Sequence, residues 1–173
     1  AIAELAVPAS TESIVESKSL KLYAGSFAMT RLGSKEEVAN RISQDLSDRL
    51  GGAVKVTLYR IDEYREKLQM MPGLSLDDLV LDEGENTYET EPAFLVFDEN
   101  DTTVVKKTFS TTVFRSLCPV TGQPDLAAVK IDYEGRAIDP KGLLKYLVSY
   151  RCHRGFHEQC VEQIFHDLRD AFN

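Results

Sequence analysis

A cysteine and a carboxylate stand at the two ends of a short, turn-rich stretch, CPVTGQPD, from Cys118 to Asp125. Two prolines and a glycine predict a tight loop here, which would return Asp125 towards the sulfur of Cys118. A thiolate is a strong nucleophile, but a nearby carboxylate disfavours thiol ionisation. We therefore expect Asp125 to supply a proton rather than to remove one from sulfur. The alternative is a buried structural Cys118, with Asp125 capping a strand.

The string FHEQC, from Phe156 to Cys160, carries an imidazole, a carboxylate and a second thiol at the predicted start of a helix. The amides and dipole of a helix N-terminus orient polar and anionic groups. A carboxylate placed there can accept two parallel N–H bonds from the edge of a purine-like molecule, which is the chemistry we expect of Glu158. The alternative is an ordinary acidic residue in the first turn of a helix.

A third candidate is ESKSLKLY, from Glu16 to Tyr23, at the predicted start of another helix. Backbone amides, the Ser17 hydroxyl and the cations of Lys18 and Lys21 suit contact with a phosphate. An amphipathic helix with two surface lysines explains the same residues equally well. The sequence has neither a G-x-G-x-x-G nor a P-loop pattern, so a bound nucleotide would not be held by either device.

Composition and charge exclude several classes of protein. The chain has 173 residues, a net charge of −8 and ordinary proportions of hydrophobic and charged residues, so it has no basic surface for nucleic acid. Its acids concentrate between Asp77 and Asp101, in either a solvated linker or a cation or partner site. No apolar run is long enough for a membrane span, and three cysteines form no disulfide framework. We expect a cytoplasmic protein, present here as a partial chain.

An internal repeat organises the chain. Residues 16–27, ESKSLKLYAGSF, align with residues 139–150, DPKGLLKYLVSY, and the agreement resumes further along after a shift of one residue. The matched pairs are Lys18 and Lys141, Leu20 and Leu143, Tyr23 and Tyr146, Ser26 and Ser149, Glu36 and Glu158, Ile42 and Ile164, Asp45 and Asp167, Leu46 and Leu168, and Asp48 and Asp170. Two matches in the same order predict a duplication.

Each copy is predicted to contain a strand followed by two helices. Apolar alternation predicts strands at residues 2–7 and 127–133, and further apolar stretches predict strands at 54–58, 94–97 and 104–114. Helical spacing predicts the helix pairs, one of which begins with a Ser34–Glu37 capping box and ends at Gly51. The predicted fold is α+β, an antiparallel sheet with paired helices on one face, built twice. We predict modules at 1–62 and 93–173, joined by a connecting segment at 63–92.

Together, VESKSLKLY, SLCPVTGQPD and YRCHRGFHEQCVE resemble the NADPH-dependent 7-cyano-7-deazaguanine reductases (QueF), the nitrile reductases of queuosine biosynthesis, a tRNA modification. The ESKSLKLY motif precedes the cysteine and lies in the other repeat, which is similar to the longer, two-module branch of that family. The resemblance implies tandem tunnel-fold modules, related to GTP cyclohydrolase I, and a homodimer or higher homo-oligomer.

The resemblance also implies roles for particular residues. Cys118 would add to the nitrile carbon and form a thioimide, Asp125 would donate a proton and His157 would assist. The contacts to the substrate, 7-cyano-7-deazaguanine, would come from Val15, Glu16, Ser17, Phe156, His157 and Glu158. Ser17 and Lys18 would contact NADPH, whose two hydrides complete the four-electron reduction to the aminomethyl compound.

Two other functions agree with the same residues. Cys118, His157 and Cys160 offer thiolates and an imidazole for zinc, as in the related cyclohydrolase, where the metal activates water for hydrolysis. The cysteines lack the short C-x-x-C spacing of a firm zinc site, so we predict no metal. The second alternative is a non-catalytic, oligomeric tunnel-fold scaffold that binds a purine- or pterin-like ligand.

Overall fold

The structure is a computed structural model that describes residues 1–65, 71–82, 84, 86–97 and 102–172. The chain divides into two compact units, Ala1–Met70 and Met71–Asn173. This division falls inside the segment 63–92 that the sequence assigns to a connection, and the predicted module bounds stay a prediction. Helices and mainly antiparallel strands make up both units, as expected of an α+β protein. Among the described residues, no helix is both long enough and apolar enough to cross a membrane.

The first unit pairs two short strands and packs helices against them. Its elements are β1 (Ile2–Ala6), α1 (Ser17–Ser26), a 3₁₀ turn (Phe27–Met29), α2 (Lys35–Leu50), β2 (Lys55–Tyr59) and α3 (Ile61–Arg65). β1 and β2 are antiparallel, with Ile2 opposite Tyr59. The core forms where one face of α2 meets β2, around Ile42, Leu46, Leu50 and Val54. The strands predicted at 2–7 and 54–58 are confirmed.

The two ends of α2 follow from single residues. The Ser34 hydroxyl accepts a hydrogen bond from the Glu37 amide (3.1 Å), as the capping box predicts. The Glu37 carboxylate reaches the Gly33 amide (2.7 Å) rather than that of Ser34, and glycine leaves it room, since a Cβ there would lie 3.0 Å from this oxygen. Gly51 ends the helix at φ 73°, a left-handed conformation that glycine adopts without strain.

The second unit is built on a three-stranded sheet. Its elements are β3 (Leu74–Ser75), a 3₁₀ turn (Pro92–Phe94), β4 (Val104–Leu117), β5 (Pro124–Arg136), α4 (Pro140–Ser149), a 3₁₀ turn (Tyr150–Cys152) and α5 (His157–Phe172). β4 and β5 are antiparallel, whereas the two-residue β3 runs parallel to β4. Along β5, Ala127, Val129, Ile131 and Tyr133 face the core, and the residues between them are exposed. The sheet is therefore not wholly antiparallel.

The strand predicted at residues 94–97 is wrong. Residues Pro92–Phe94 form the 3₁₀ turn, which begins with a proline and is capped by the Glu91 carboxylate, an acceptor for the Ala93 amide (3.1 Å). Only Phe97 makes a β-bridge, to Ile138. The apolar run reflects burial against the core, to which Leu95 belongs, and not strand pairing.

The two helix pairs repeat each other in the order and length of their elements, and the connection to the long helix is one residue shorter in the second unit. In each unit a 10-residue helix, a 3-residue 3₁₀ turn and a 16-residue helix follow in order. The Tyr23 hydroxyl donates to Asp45 (2.7 Å), and the matching Tyr146 hydroxyl donates to Asp167 (2.6 Å). The ring of each tyrosine meets the next aromatic ring edge-on, at 5.2 and 5.5 Å respectively. The predicted pairs of helices are confirmed.

Candidate active site

The loop that begins at Cys118 is closed by its own backbone. β4 ends at Leu117, the Cys118 amide donates to the Gln123 carbonyl (2.9 Å), and the Gly122 amide donates to the Cys118 carbonyl (2.8 Å). Gly122 has φ 70°, which glycine tolerates and other residues rarely adopt. The Cys118 side chain is only 1% exposed. The tight loop expected from the prolines and the glycine is therefore present.

The β4–β5 pairing brings Asp125 back beside the end of β4. Asp125 lies directly opposite Ser116, two residues before Cys118. Opposite residues of an antiparallel pair project from the same face of the sheet. Ser116 is completely buried, so the half-buried Asp125 projects towards the same interior. The predicted return of Asp125 towards the cysteine loop is a consequence of this register.

On its other side, the end of β4 is fixed to the segment that enters α5. The Leu117 amide donates to the His153 carbonyl (2.8 Å), and the Gly155 amide donates to the Leu117 carbonyl (3.2 Å). Gly155 is buried, and a Cβ there would lie 2.8 Å from Nε2 of His153. A side chain at this position would require the His153 ring to shift. Because α5 begins two residues later at His157, the cysteine loop and the FHEQC stretch are held together by backbone bonds.

The second thiol, Cys160, is buried in the first turn of α5. Burial raises the pKa of the Cys160 thiol, and the negative charges of Asp125 and Glu158 add to that rise. Asp125 on β5 and Glu158 on α5 therefore both contribute to the electrostatic surroundings of this sulfur. The sequence predicted roles for Asp125 and Glu158 but gave none to Ser116, which no motif distinguishes from other strand residues.

His157 opens α5 with a buried polar atom. Its Nε2 is inaccessible to solvent and has no hydrogen-bond partner among the residues that the structure describes. The preceding Phe156 amide is capped by the Gln159 side chain (3.2 Å). A buried ring nitrogen without a partner is costly unless a ligand or water satisfies it. This atom is thus placed to meet a ligand at the helix start.

An apolar cavity of about 430 Å³ runs between β5 and α5. Its lining includes His157 and Cys160 at one end, the inward face of β5, and Ile164, Leu168 and Phe172 along α5. Neither Cys118 nor Asp125 belongs to the described lining. The cavity and the cysteine loop are therefore neighbours that share the first turn of α5.

In the first unit, the Glu16 carboxylate caps α1. Oε1 accepts from the Lys18 amide (2.8 Å), while Oε2 accepts from the Ser19 amide (2.7 Å) and the Ser19 hydroxyl (2.9 Å). The Lys18 amide bond is the main cause that lowers the pKa of Glu16. A carboxylate has about four acceptor positions, so three are in use. Glu16 keeps capacity for about one further hydrogen bond.

The residues around Glu16 form an open groove of about 540 Å³. Its lining is Ser13, Ile14, Val15, Glu16, Ser19, Arg49 and Leu50. Ser17 and Lys18 are exposed in the first turn of α1, next to this groove. The Lys18 and Arg49 cations and the Ser17 hydroxyl suit a phosphate-bearing cofactor, whereas the Lys18 and Ser19 amides are already bonded to the Glu16 carboxylate. Arg49 was not predicted, since an arginine in the last turn of α2 carries no signal of its own.

The zinc arrangement considered for Cys118, His157 and Cys160 finds no geometric support. In the described part of the chain, no three His, Cys, Asp or Glu side chains are grouped so that they could hold a metal ion. The predicted residues of the second unit gather at the end of β4 and the start of α5. Those of the first unit, Val15 to Lys18, lie at the start of α1.

Fold and site together define an α+β protein in which a buried cysteine opens an exposed loop, with Asp125 at the end of that loop and His157 and Glu158 at the start of the adjoining helix. Two family models match this chain. One, described as nitrile reductase, 7-cyano-7-deazaguanine-reductase N-term, covers residues 1–58, and the other, described as QueF-like protein, covers residues 124–173.

Curated relatives match along almost the whole chain. Proteins named NADPH-dependent 7-cyano-7-deazaguanine reductase from Burkholderia mallei (strain SAVP1), Burkholderia pseudomallei (strain 668) and Burkholderia thailandensis are each 50% identical to it over 173 residues. These matches cover 99% of this chain and 62% of each relative, so the chain spans less than two thirds of their length. The chain belongs to the 7-cyano-7-deazaguanine reductase (QueF) family.

Proposed function

We propose that this chain carries the reaction centre of an NADPH-dependent nitrile reductase. The reaction is the four-electron reduction of 7-cyano-7-deazaguanine to 7-aminomethyl-7-deazaguanine. The observation that carries the proposal is geometric: the β4–β5 register returns Asp125 beside the end of β4, and backbone bonds hold the start of α5 against the same end, next to Cys118, in a chain of this family. The relatives bear the name of this activity, and the chain spans 62% of their length.

Covalent capture by Cys118 is the first step of the proposed mechanism. The Cys118 sulfur adds to the nitrile carbon, one π bond of the C≡N group breaks, and the nitrogen takes a proton to give a thioimide. A thioimide C=N bond accepts hydride far more readily than a nitrile does. The support for Cys118 is its fixed place directly after β4. Its own amide donates to the Gln123 carbonyl, and the preceding Leu117 exchanges backbone hydrogen bonds with His153 and Gly155.

Asp125 and His157 are the proposed proton donors to the nitrile nitrogen. Asp125 projects towards the interior shared with Ser116, and Nε2 of His157 is buried without a partner among the described residues. A donor must lie within hydrogen-bond reach of the atom that it protonates. Asp125 must hold its proton when the thiolate adds and must recover one before the next turnover. His157, at the start of α5, assists.

Recognition of the guanine-like edge falls mainly to Glu158. Two parallel N–H bonds need both oxygens of a carboxylate, and Glu16 has capacity for about one further bond. We therefore assign the paired contact to Glu158 and a single contact to Glu16. Val15, Ser17, Phe156 and His157 complete the proposed substrate contacts, with the Phe156 ring against the heterocycle.

Ser17 and Lys18 are the proposed contacts to NADPH. When bound, the cofactor supplies the two hydrides that the reduction requires. The residues of this chain hold its phosphates through the Lys18 ammonium and the hydroxyl of Ser17 at the exposed start of α1. The Arg49 guanidinium in the adjoining groove is of the same charge and strengthens this fit.

Tandem tunnel-fold modules and a homo-oligomer form part of the same proposal. The support is the repetition of helix lengths and of the Tyr23–Asp45 and Tyr146–Asp167 hydrogen bonds in the two units. We also propose that the protein acts in the cytoplasm, as suits an NADPH-dependent enzyme, and that it binds no nucleic acid. Light scattering on the purified chain measures its oligomeric state directly.

Turnover with NADPH tests the activity. The expected result is consumption of two NADPH for each 7-aminomethyl-7-deazaguanine formed, measured by absorbance and product mass. Product with no NADPH consumed would contradict the mechanism. Hydrolysis of a nitrile or of a purine ring, abolished by a metal chelator, would favour the zinc alternative. Ligand binding with neither capture nor turnover would favour the scaffold alternative.

A further inference from the structure

β4 contains one extra residue just before the cysteine loop. Thr111 lies opposite Val129, and Phe114 lies opposite Ala127. Two residues of β4 therefore lie between these pairs, but only one residue of β5 does. This two-for-one pairing is a β-bulge, and it includes Thr112 and the neighbouring Val113. Bulges bend a strand and often occur where a side chain must be re-aimed.

The bulge decides which residues of β4 face the core. Before it the inward residues are odd-numbered, as Phe109 is; beyond it they are even-numbered, namely Phe114, Ser116 and Cys118. Because side chains alternate along a strand, the removal of one residue exchanges the two faces. Without the bulge, Ser116 and Cys118 would face away from the interior that Asp125 shares.

The Asp77 carboxylate accepts four hydrogen bonds from Thr111 and Thr112 at the bulge. Oδ1 accepts from the Thr111 hydroxyl (2.5 Å), and Oδ2 accepts from the Thr112 hydroxyl (2.6 Å). The Thr112 amide donates to both oxygens, at 3.1 and 3.0 Å. A bulge leaves an amide outside the strand ladder, and that amide needs a partner.

Asp77 is itself fixed at this place. The preceding Leu76 is 1% exposed within the core, and its amide donates to the Ser110 carbonyl (2.9 Å) as a continuation of the β3–β4 pairing. The hydrogen bond from Thr111 is the main cause that holds the pKa of Asp77 below its usual range, followed by those from Thr112. The carboxylate is therefore ionised at neutral pH, the state in which it accepts all four bonds.

We propose that Asp77 is a positioning residue for Cys118, which it directs into the reaction centre by stabilising the β4 bulge. The inference rests on the proposed function for its catalytic consequence, but the orientation of Cys118 is a structural claim of its own. Asp77 touches no reacting atom in this account. Through its bonds to Thr111 and Thr112, it stabilises the bulge that determines which side chains of β4 face the interior. β4 leads directly into Cys118.

The test compares Asp77→Asn with Asp78→Asn in the otherwise unchanged chain. Both remove one negative charge, but Asp78 makes none of the described bonds to the bulge. Asparagine keeps one acceptor oxygen and cannot accept from both threonine hydroxyls. We expect Asp77→Asn to slow thioimide formation at saturating nitrile without NADPH by about tenfold or more, with ligand affinity within about twofold. Asp78→Asn should match the wild type.

Alkylation by iodoacetamide gives a second readout that does not depend on the nitrile. Mass spectrometry of the peptides yields separate rates for Cys118 and Cys160, both buried in the same unit. Loss of positioning should speed alkylation of Cys118 by about tenfold relative to Cys160, whereas general unfolding would speed both. Thr112→Val should reproduce the effect and Thr112→Ser should not, because serine keeps the hydroxyl.

Each outcome decides one question. Unchanged rates of adduct formation and of alkylation in Asp77→Asn would overturn the positioning role. An equal rise in the alkylation rates of Cys118 and Cys160 would overturn it as well. If the wild type forms no adduct, the proposed function fails, and the ratio of the Cys118 and Cys160 alkylation rates still decides the role of Asp77.

Discussion

At the scale of single residues, the proposed mechanism depends on which carboxylate donates a proton and which ones bind the ligand. Asp125 lies opposite Ser116 beside the cysteine loop and Glu158 lies in the first turn of α5, whereas three acceptor positions of Glu16 are used at the start of α1. Identical chemical groups therefore receive different roles from their surroundings. We assign proton donation to Asp125, paired hydrogen bonding to Glu158 and a single contact to Glu16.

Replacement of Glu158 by Gln should weaken binding of 7-cyano-7-deazaguanine by about tenfold or more. The amide offers one acceptor and one donor, so it cannot accept two parallel N–H bonds, and it loses charge assistance. Calorimetry in the Cys118→Ala background measures binding alone. Glu162→Gln, on the exposed face of the same helix, is the control. An unchanged affinity for Glu158→Gln would show that Glu158 is only a first-turn acid.

Replacement of Asp125 by Asn should slow thioimide formation by about a hundredfold, with little change in ligand affinity, because the donor of the proton is lost while the pocket keeps its shape. Stopped-flow measurement of adduct formation at saturating nitrile reports this step. If the rate stays at the wild-type value, the proton comes from His157 or from water, and the role given to Asp125 is wrong.

At the scale of elements, the two helix pairs make the same bonds in different surroundings. Tyr146 is completely buried and its hydroxyl also contacts that of Tyr150 (2.9 Å), whereas Tyr23 is half-buried and its partner Asp45 is exposed. Burial is the main cause that raises the pKa of both tyrosines, that of Tyr23 to about 12. The same hydrogen bond should therefore be worth more in the second unit.

Tyr146→Phe should lower the free energy of unfolding by about 1–3 kcal/mol, because it leaves the buried Tyr150 hydroxyl and the half-buried Asp167 carboxylate short of a partner. Tyr23→Phe, the matched change in the first unit, should cost about 1 kcal/mol or less, since water can replace the lost hydroxyl. Urea unfolding of the two variants gives the comparison. Equal losses would show that burial does not set the strength of this bond.

The β4 bulge should respond to acid through Asp77. Its folded-state pKa is depressed by the Thr111 and Thr112 bonds, so its stabilising contribution is present above the unfolded pKa of an aspartate. That contribution is lost as pH falls through the depressed value. Asp77→Asn should therefore flatten the fall in stability below about pH 4. Acid titrations followed by circular dichroism, with Asp78→Asn as control, would contradict this if all three curves ran parallel.

Sequence periodicity predicted most elements, because helix pairs and half-buried strands leave clear spacing. It missed the turn at Pro92–Phe94, because a short apolar run has the same sequence pattern whether it pairs with a strand or only packs against the core. Cys118 and Asp125 were predictable from the loop between them. The bulge at Thr112 and the partnership with Asp77 were not, since a contact 35 positions apart leaves no local pattern.

At the scale of the whole molecule, the chain is a two-unit member of its family that spans 62% of the length of its relatives. Its net charge of −8 is opposite to that of a nucleic-acid-binding surface. The residues proposed for the cofactor lie in the first unit, and the nucleophile and its proton donors lie in the second. Capture of the nitrile and its reduction can therefore be examined separately.

The most direct test of the central claim is the intact mass of the chain after incubation with 7-cyano-7-deazaguanine in the absence of NADPH. The account predicts a mass increase equal to one ligand, located at Cys118 by peptide mapping and absent from Cys118→Ala. The Cys152→Ala variant should still form the adduct, since Cys152 has no part in the site. No increase in a folded wild-type chain, or an adduct that persists in Cys118→Ala, would contradict Cys118 as the nucleophile.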